Sequence, residues 1–250
     1  MNDLIDKIVK DTKIGVERRR KDKIRERTSV ILSLSRAIKI PYKSIIAEIK
    51  PRSPSEGDLM GNRDILSLAG EYEEGGASAL SVLTSPYFGG AVENVSIVKE
   101  RATIPVLYKD FVVDEYQIRE GYGCGADAVL LIEGISPVER LLDVVEDLGL
   151  DAIVECHSAG DIEKAVSAGA KIVGINNRDL RTLEVDIKTT ERLLGYVPED
   201  TILISESGVK TPADASYLFD CGADALLIGT ALMRSPNPKE FIKSCQEWVL

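Results

Sequence analysis

At 250 residues, with 44% hydrophobic and 29% charged side chains, the chain has ordinary globular composition and length enough to bury a full core. That balance excludes disorder, no apolar run approaches the ~20 residues that span a bilayer, and the N-terminus lacks the apolar segment of a secretory signal. The formal net charge of −10 is unevenly spread, a basic first segment to residue 43 preceding a strongly acidic remainder. Such a body repels phosphate backbones, so no nucleic-acid partner is expected for the run Arg18-Arg19-Arg20-Lys21 and the nearby Lys23, Arg25 and Arg27. They read instead as a solvated helix face with an acidic body to lie against. Cys124, Cys156, Cys221 and Cys245 show no C-x-x-C spacing, which fits reduced thiols in a cytoplasm better than bridges or zinc.

Residues 2–39 are predicted helical, with apolar stripes from Leu4, Ile8, Ile31, Leu32, Leu34 and Ile38 and a stop at Pro41. No linker composition separates them from the rest of the chain. We therefore expect residues 1–43 to form an N-terminal helical extension packed on a main domain over 44–250.

The next stretch, residues 45–57, reads IIAEIKPRSPSEG. Alternation puts Ile46, Glu48 and Lys50 on one face of a strand and Ile45, Ala47 and Ile49 on the other. A carboxylate and an ammonium on a mostly apolar strand are tolerable if they pair, or if they sit at an open end that solvent or substrate completes. Two prolines, two serines and a glycine then end the strand in a loop rich in free hydroxyls and amides.

Beyond it one phrase recurs: Gly76-Ala77-Ser78-Ala79, Gly125-Ala126-Asp127-Ala128, Gly169-Ala170-Lys171-Ile172 and Gly222-Ala223-Asp224-Ala225, at intervals of 49, 44 and 53 residues. Each copy follows a helical pattern and opens an apolar strand (LSVLT, VLLIE, VGIN, LLIG). A further strand precedes each copy (IIAEIK, VLYKD, IVEC, ILISES). Eight strands, each followed by room for a helix, predict an α/β fold of the (β/α)8 TIM-barrel type. The phrase itself makes sense as a helix ending at glycine and a small residue opening a buried parallel strand.

Polar residues then fall at the C-terminal ends of the predicted strands, which converge on one mouth in this fold: Glu48 and Lys50, Lys109, Glu155, Asn176, and Glu206 with Ser207. Ionisable groups gathered there point to an active site. Glu206-Ser207-Gly208 and Ile228-Gly229-Thr230 end strands seven and eight, where backbone amides commonly cradle a phosphate, with Ser53 and Lys50 placed to close over it.

These residues resemble the indole-3-glycerol phosphate synthase family of tryptophan biosynthesis. The matching pieces run in order from Ile46-Ala47-Glu48-Ile49-Lys50 and Ser53-Pro54-Ser55-Glu56-Gly57 through Pro105-Val106-Leu107-Tyr108-Lys109-Asp110-Phe111 and Val154-Glu155-Cys156-His157. They continue with Gly174-Ile175-Asn176-Asn177-Arg178-Asp179-Leu180, Ser205-Glu206-Ser207-Gly208 and Ile228-Gly229-Thr230-Ala231-Leu232-Met233. The resemblance implies a cytoplasmic lyase that closes 1-(2-carboxyphenylamino)-1-deoxyribulose 5-phosphate to indole-3-glycerol phosphate, with loss of carbon dioxide and water. No metal or organic cofactor and no membrane partner are expected, and there is room for other tryptophan-pathway enzymes as partners. It implies Lys109 as general acid, Glu155 as general base, Lys50 on the substrate carboxylate and Glu48 orienting Lys50. Asn176 and Glu206 would position the reacting chain, and Arg178 would hold loops near the mouth. Ser53, Gly208, Gly229 and Thr230 would contact the phosphate, and Phe88 would stack on the substrate ring.

Several positions depart from the pattern. The family reads T-E-P, a basic residue and two aromatics after strand two. Here Thr84-Ser85-Pro86-Tyr87-Phe88 lacks the glutamate and is one residue shorter. Glu133 ends strand four with an unexpected carboxylate, read as paired to a lysine, and Tyr108 should face away from the barrel interior. His157, the lone histidine, reads as loop packing, and Trp248 as packing on the barrel wall. Two alternatives remain at this point: a Schiff-base aldolase using Lys109 on a ketose phosphate, and a catalytically silent barrel that binds a phosphate ester or docks a partner enzyme.

Overall fold

The recurring glycine sets the frame. In the computed structural model, which describes residues 3–39, 43–53 and 56–247, Gly76, Gly125, Gly169 and Gly222 all take positive φ between 92° and 109°. L side chains avoid that region, so the glycine is dictated by the turn. Each stands just past a helix. Gly76 N–H donates to Glu73 O and Ala77 N–H to Tyr72 O, and the other three copies repeat this paired closure.

The strands are β1 (Ser44–Ile49), β2 (Ala79–Leu83), β3 (Val106–Lys109), β4 (Ala128–Ile132), β5 (Asp151–Cys156), β6 (Ile172–Asn176), β7 (Ile202–Glu206) and β8 (Ala225–Ile228). All pair in parallel and close in the order β1-β8-β7-β6-β5-β4-β3-β2, a (β/α)8 TIM barrel as expected. Helices α1 (Asp3–Arg19) and α2 (Leu34–Ile38) precede the barrel. Around it run α3 (Ile65–Glu74), α4 (Glu93–Lys99), α5 (Glu115–Gly123), α6 (Val138–Asp147), α7 (Ala159–Ser167), α8 (Lys188–Leu193), α9 (Pro212–Asp220), α10 (Thr230–Arg234) and α11 (Pro238–Gln246). Among the described residues, no helix is long and apolar enough to cross a membrane.

Strand alternation divides the apolar residues into two clusters. Ile45, Ala47, Ile49, Val82, Tyr108 and Val154 face the helices, so Tyr108 points away from the barrel interior as its position predicts. Ile46, Leu107, Leu130, Ile153, Ile204 and Leu227 fill the interior. The barrel is thus a packed core, with its mouth above this filling.

The N-terminal segment departs from one long helix. After α1 the chain runs irregularly from about residue 22 to 33, then forms the single turn of α2. α1 lies at the mouth end, where Arg19 pairs with Glu120 at 2.9 Å, Arg20 with Asp114, and Tyr87 donates to Asp11. The irregular strap crosses to the opposite end, where Leu34 and Ile38 join the interior cluster from below and Asp151 accepts from Ser35 N–H. It forgoes helical hydrogen bonds because the barrel supplies replacements. Arg27 donates to the carbonyls of Tyr122 and Ala126, and Leu32 N–H donates to Asp127 at 3.0 Å. Of the basic run, Arg19, Arg20 and Arg27 are thus bound to acidic barrel residues, Glu120, Asp114 and Asp127. Pro41 and Trp248, for which a helix stop and wall packing are expected, lie outside the described residues.

Asp127, from the second copy of the phrase, is the knot between strap and barrel. Wholly buried, it accepts from Arg27 Nη2 at 2.8 Å, Lys99 Nζ, Leu32 N–H and Val106 N–H. Asp224 repeats the backbone part of this device beneath β7, accepting from Leu203 N–H at 2.7 Å. We propose that the extension (1–43) and the barrel (44–250) form one folding unit. Asp127→Ala strands two nearly buried cations and should lower stability by ~3–5 kcal/mol in a single urea transition. Two separate transitions, or a loss within about 0.5 kcal/mol as at an ordinary surface site, would refute the shared unit.

Candidate active site

Alternation carries four charged side chains to the top of the interior, one from every second strand: Glu48 of β1, Lys109 of β3, Glu155 of β5 and Glu206 of β7. Such layers of four are the normal filling of this barrel, usually with branched aliphatics. Here the layer is three carboxylates around an ammonium. Lys109 Nζ lies 2.9 Å from Glu206 Oε2, 3.7 Å from Glu155 Oε2 and 4.0 Å from Glu48 Oε2. Lys50, one pleat above Glu48, reaches its other oxygen at 3.0 Å. Asn176 Nδ2 donates to Glu155 Oε1 at 2.9 Å.

Room for the carboxylates comes from glycine on the intervening strands. A Cβ at Gly174 of β6 would fall 2.3 Å from Glu206 Oε1, and one at Gly229, just after β8, 2.3 Å from Glu48 Oε1. Neither position tolerates a side chain with the acids in place.

Burial opposes charge on every member of the layer, and the partners decide the outcome. Burial would lower Lys109, but Glu206, Glu155 and Glu48 together raise it well above its ordinary value. Burial pushes Glu48 up, yet Lys50 and Lys109 hold it below the usual carboxylate range. Glu155 is likewise pushed up by burial and then brought down to about 2 by His157, Lys109 and Asn176. Glu206 keeps the burial penalty, feels Glu155 besides, and rises to about 7 despite Lys109. Its Oε1 is buried with no hydrogen-bond partner among the described residues.

Above the layer opens a cavity of about 720 Å³. Its wall includes Glu48, Lys50, Lys109, Glu155, Asn176 and Glu206, and on the β7–β8 side Ser207, Gly208, Gly229 and Thr230. Ser207 and Gly208 both take positive φ, of 65° and 99°, which turns the chain sharply at the end of β7. Phe88 lines the opposite wall and stacks on Phe111, with centroids 6.4 Å apart and planes at 11°. Arg178 also reaches the cavity, while its Nη1 donates to Leu183 O at 2.8 Å and its backbone bridges to Val185, holding the loop after β6. Ser53 stands apart. It is buried in a short antiparallel pairing, Arg52–Ser53 against Gly57–Asp58, and is not in the cavity wall. Of the loop between, Pro54 and Ser55 lie outside the described residues. Among the described residues no group of three His, Cys, Asp or Glu side chains is arranged to hold a metal.

Several further residues in or beside the cavity are not evident from the sequence. His157, expected as loop packing, places Nε2 3.0 Å from Glu155 Oε1. The alternation that puts Glu155 inside also puts residue 157 there, and this is the available signal. Asp110 lies in the cavity wall, accepting from Thr84 Oγ1 at 2.8 Å and Phe111 N–H at 2.8 Å. Glu56 and Arg234, both on the wall, form an ion pair that ties the loop after β1 to the end of α10. Glu133, read as paired to a lysine, has no ion pair among the described residues. It is only half-buried, and burial raises its carboxyl.

The family model for indole-3-glycerol phosphate synthase matches residues 5–245. A protein of that name from Caldanaerobacter subterraneus is 47% identical over 205 residues, covering 80% of each chain. Another from Methanocaldococcus jannaschii is 41% identical over 261 aligned positions, covering 96% of this chain and 97% of its own. Among solved structures, 3-hexulose-6-phosphate synthase from Salmonella typhimurium superposes with a TM-score of 0.65 at 13% identity, over 81% of this chain and 96% of that one. At that identity the likeness speaks for the barrel alone. The two sequence relationships and the full-length match carry more: the chain belongs to the indole-3-glycerol phosphate synthase family.

Proposed function

We propose that the chain closes 1-(2-carboxyphenylamino)-1-deoxyribulose 5-phosphate to indole-3-glycerol phosphate, with Lys109 as general acid and Glu155 as general base. The observation that carries this reading is the buried Lys109 ammonium held among Glu48, Glu155 and Glu206 on the floor of a cavity large enough for a phosphorylated aromatic substrate. The substrate's ring carbon must attack a ketone whose oxygen gains a proton as the bond forms. An ammonium fixed at that point supplies both charge and proton. Carbon dioxide then leaves and the ring regains aromaticity. The remaining hydroxyl departs as water while a proton is lost from the new five-membered ring, the step assigned to Glu155.

The other residues fall into place around these two. Lys50 meets the substrate carboxylate, with Glu48 holding it at 3.0 Å. Asn176 holds Glu155, and Glu206 holds Lys109. The ring lies against Phe88, and the phosphate against Gly208, Gly229, Thr230 and the Ser207 turn. Ser53 belongs to the phosphate set by resemblance alone. Arg178 serves its loop. On the same reading the protein works in the cytoplasm on a small phosphate ester and not on nucleic acid, since its body is acidic and Arg19, Arg20 and Arg27 of the basic run are engaged in ion pairs. The Schiff-base alternative fits poorly, because an amine that attacks a carbonyl must shed its proton and three carboxylates hold one on Lys109.

Lys109→Ala should lower kcat by about 10²- to 10⁴-fold with the KM nearly unchanged, read by indole fluorescence in buffer containing chelator. Near-normal turnover in that variant would move the acid to Lys50. A second expectation comes from charge balance, three carboxylates facing two ammonium groups. Glu206 binds a proton in the folded state that it does not bind unfolded, so its contribution to stability falls as pH rises from 4.5 to about 7. The melting temperature of Glu206→Gln relative to the parent should therefore be higher at pH 8 than at pH 5. A difference independent of pH would show Glu206 ionised throughout.

A further inference from the structure

The contact between His157 and Glu155 is used by nothing in the proposed reaction. Glu155 Oε1 accepts twice, from Asn176 Nδ2 at 2.9 Å and from His157 Nε2 at 3.0 Å. Its Oε2 faces Lys109 at 3.7 Å, too long for a hydrogen bond. One oxygen is therefore committed to the protein and the other left to the cavity. Both donors are themselves fixed. Asn176 Oδ1 accepts from Arg178 N–H at 3.0 Å, and His157 N–H donates to Asp161 Oδ2 at 3.2 Å, tying the end of β5 to the first turn of α7.

Among the described residues the imidazole makes this one polar contact and no other. Its Nδ1 is buried without a partner, and the side chain is 21% exposed. A histidine placed only to fill space would satisfy both nitrogens or leave them wet. The carboxylate can only accept, so Nε2 carries the proton. The ionisable groups around the ring are Glu155 on its own strand, Glu206 on β7 and Asp161 on α7, with Lys109 beyond Glu155. Glu133, after β4, feels Asp161 and Lys164. Burial disfavours the imidazolium, and the three carboxylates more than offset that.

We propose that His157 is a positioning residue for Glu155: by donating Nε2–H to Oε1 it holds the carboxylate so that Oε2 takes the ring proton. The catalytic half of this proposal rests on Glu155 being the general base; the contact itself does not.

Because His157 is the lone histidine, its ring can be followed by NMR without assignment. The imidazole of the parent should titrate above its ordinary 6.5 and shift downward in Glu155→Gln. An identical titration in both proteins would overturn the contact. In steady-state assays His157→Leu should lower kcat by about 10- to 100-fold, the effect of losing a hydrogen bond to a charged group, with KM little changed. His157→Gln places an amide N–H near the position of Nε2 and should restore most of the loss. Parent-like turnover in a folded His157→Leu protein, or a glutamine variant no better than leucine, would overturn the positioning role. If the parent itself makes no indole-3-glycerol phosphate, the proposed reaction fails and the positioning role falls with it. The imidazole titration then still decides the contact.

Discussion

A buried ammonium surrounded by three buried carboxylates is the constraint on which the rest of this structure depends. None of the four charges is tolerable alone at that depth, since each would cost several kcal/mol in lost hydration. They persist because each has an opposite charge within 4.0 Å, and Glu206 Oε1, buried without a hydrogen-bond partner among the described residues, belongs to the group most readily neutralised. The same arrangement sorts the layer into unlike groups. Lys109 is held protonated, Glu155 is held ionised by its donors, and Glu206 absorbs the imbalance. Pushing neighbouring groups apart in this way separates acid from base in a single site.

That cluster has steric consequences below and beside it. Gly174 and Gly229 are bare because the carboxylates of the adjoining strands occupy the space a Cβ would need. Beneath it, Ile46, Leu107, Ile153 and Ile204 keep the interior dry. At the far end, two aspartates fasten strand starts to their neighbours, the buried Asp127 under β3 and the exposed Asp224 under β7. Charged residues of this protein therefore stand at both ends of an apolar barrel, fastening strand starts at one and lining the cavity at the other.

How much of this the sequence discloses depends on whether a feature is periodic. The four glycines at positive φ recur because the same helix end recurs, so the eight strands can be counted and the barrel recognised. Period-two alternation places Glu48, Lys109, Glu155 and Glu206 on the inside and Tyr108 on the outside. The strap at 22–33 passes for helix in the sequence because its stabilising partners, the carbonyls of Tyr122 and Ala126 and the Asp127 carboxylate, are about a hundred residues away. His157 passes for packing for a different reason. Its contact with Glu155 depends on a side-chain distance, and alternation tells only which face a residue is on.

The loop after β2 is a hydrogen-bonded corner on the cavity wall. It carries Ser85 where a glutamate is expected after Thr84, and it delivers an aromatic ring, Phe88, to the cavity. Ser85 O accepts from both Phe88 N–H and Gly90 N–H, closing a single tight turn over Pro86–Phe88. Gly90 must be bare, because a Cβ there would lie 2.2 Å from Leu83 O. Thr84 is anchored to Asp110, whose carboxylate also receives Phe111 N–H. The aspartate thereby couples the loop to the strand that bears Lys109 and sets Phe111 against Phe88. A hydrogen-bonded corner thus brings the two rings into near-parallel stacking.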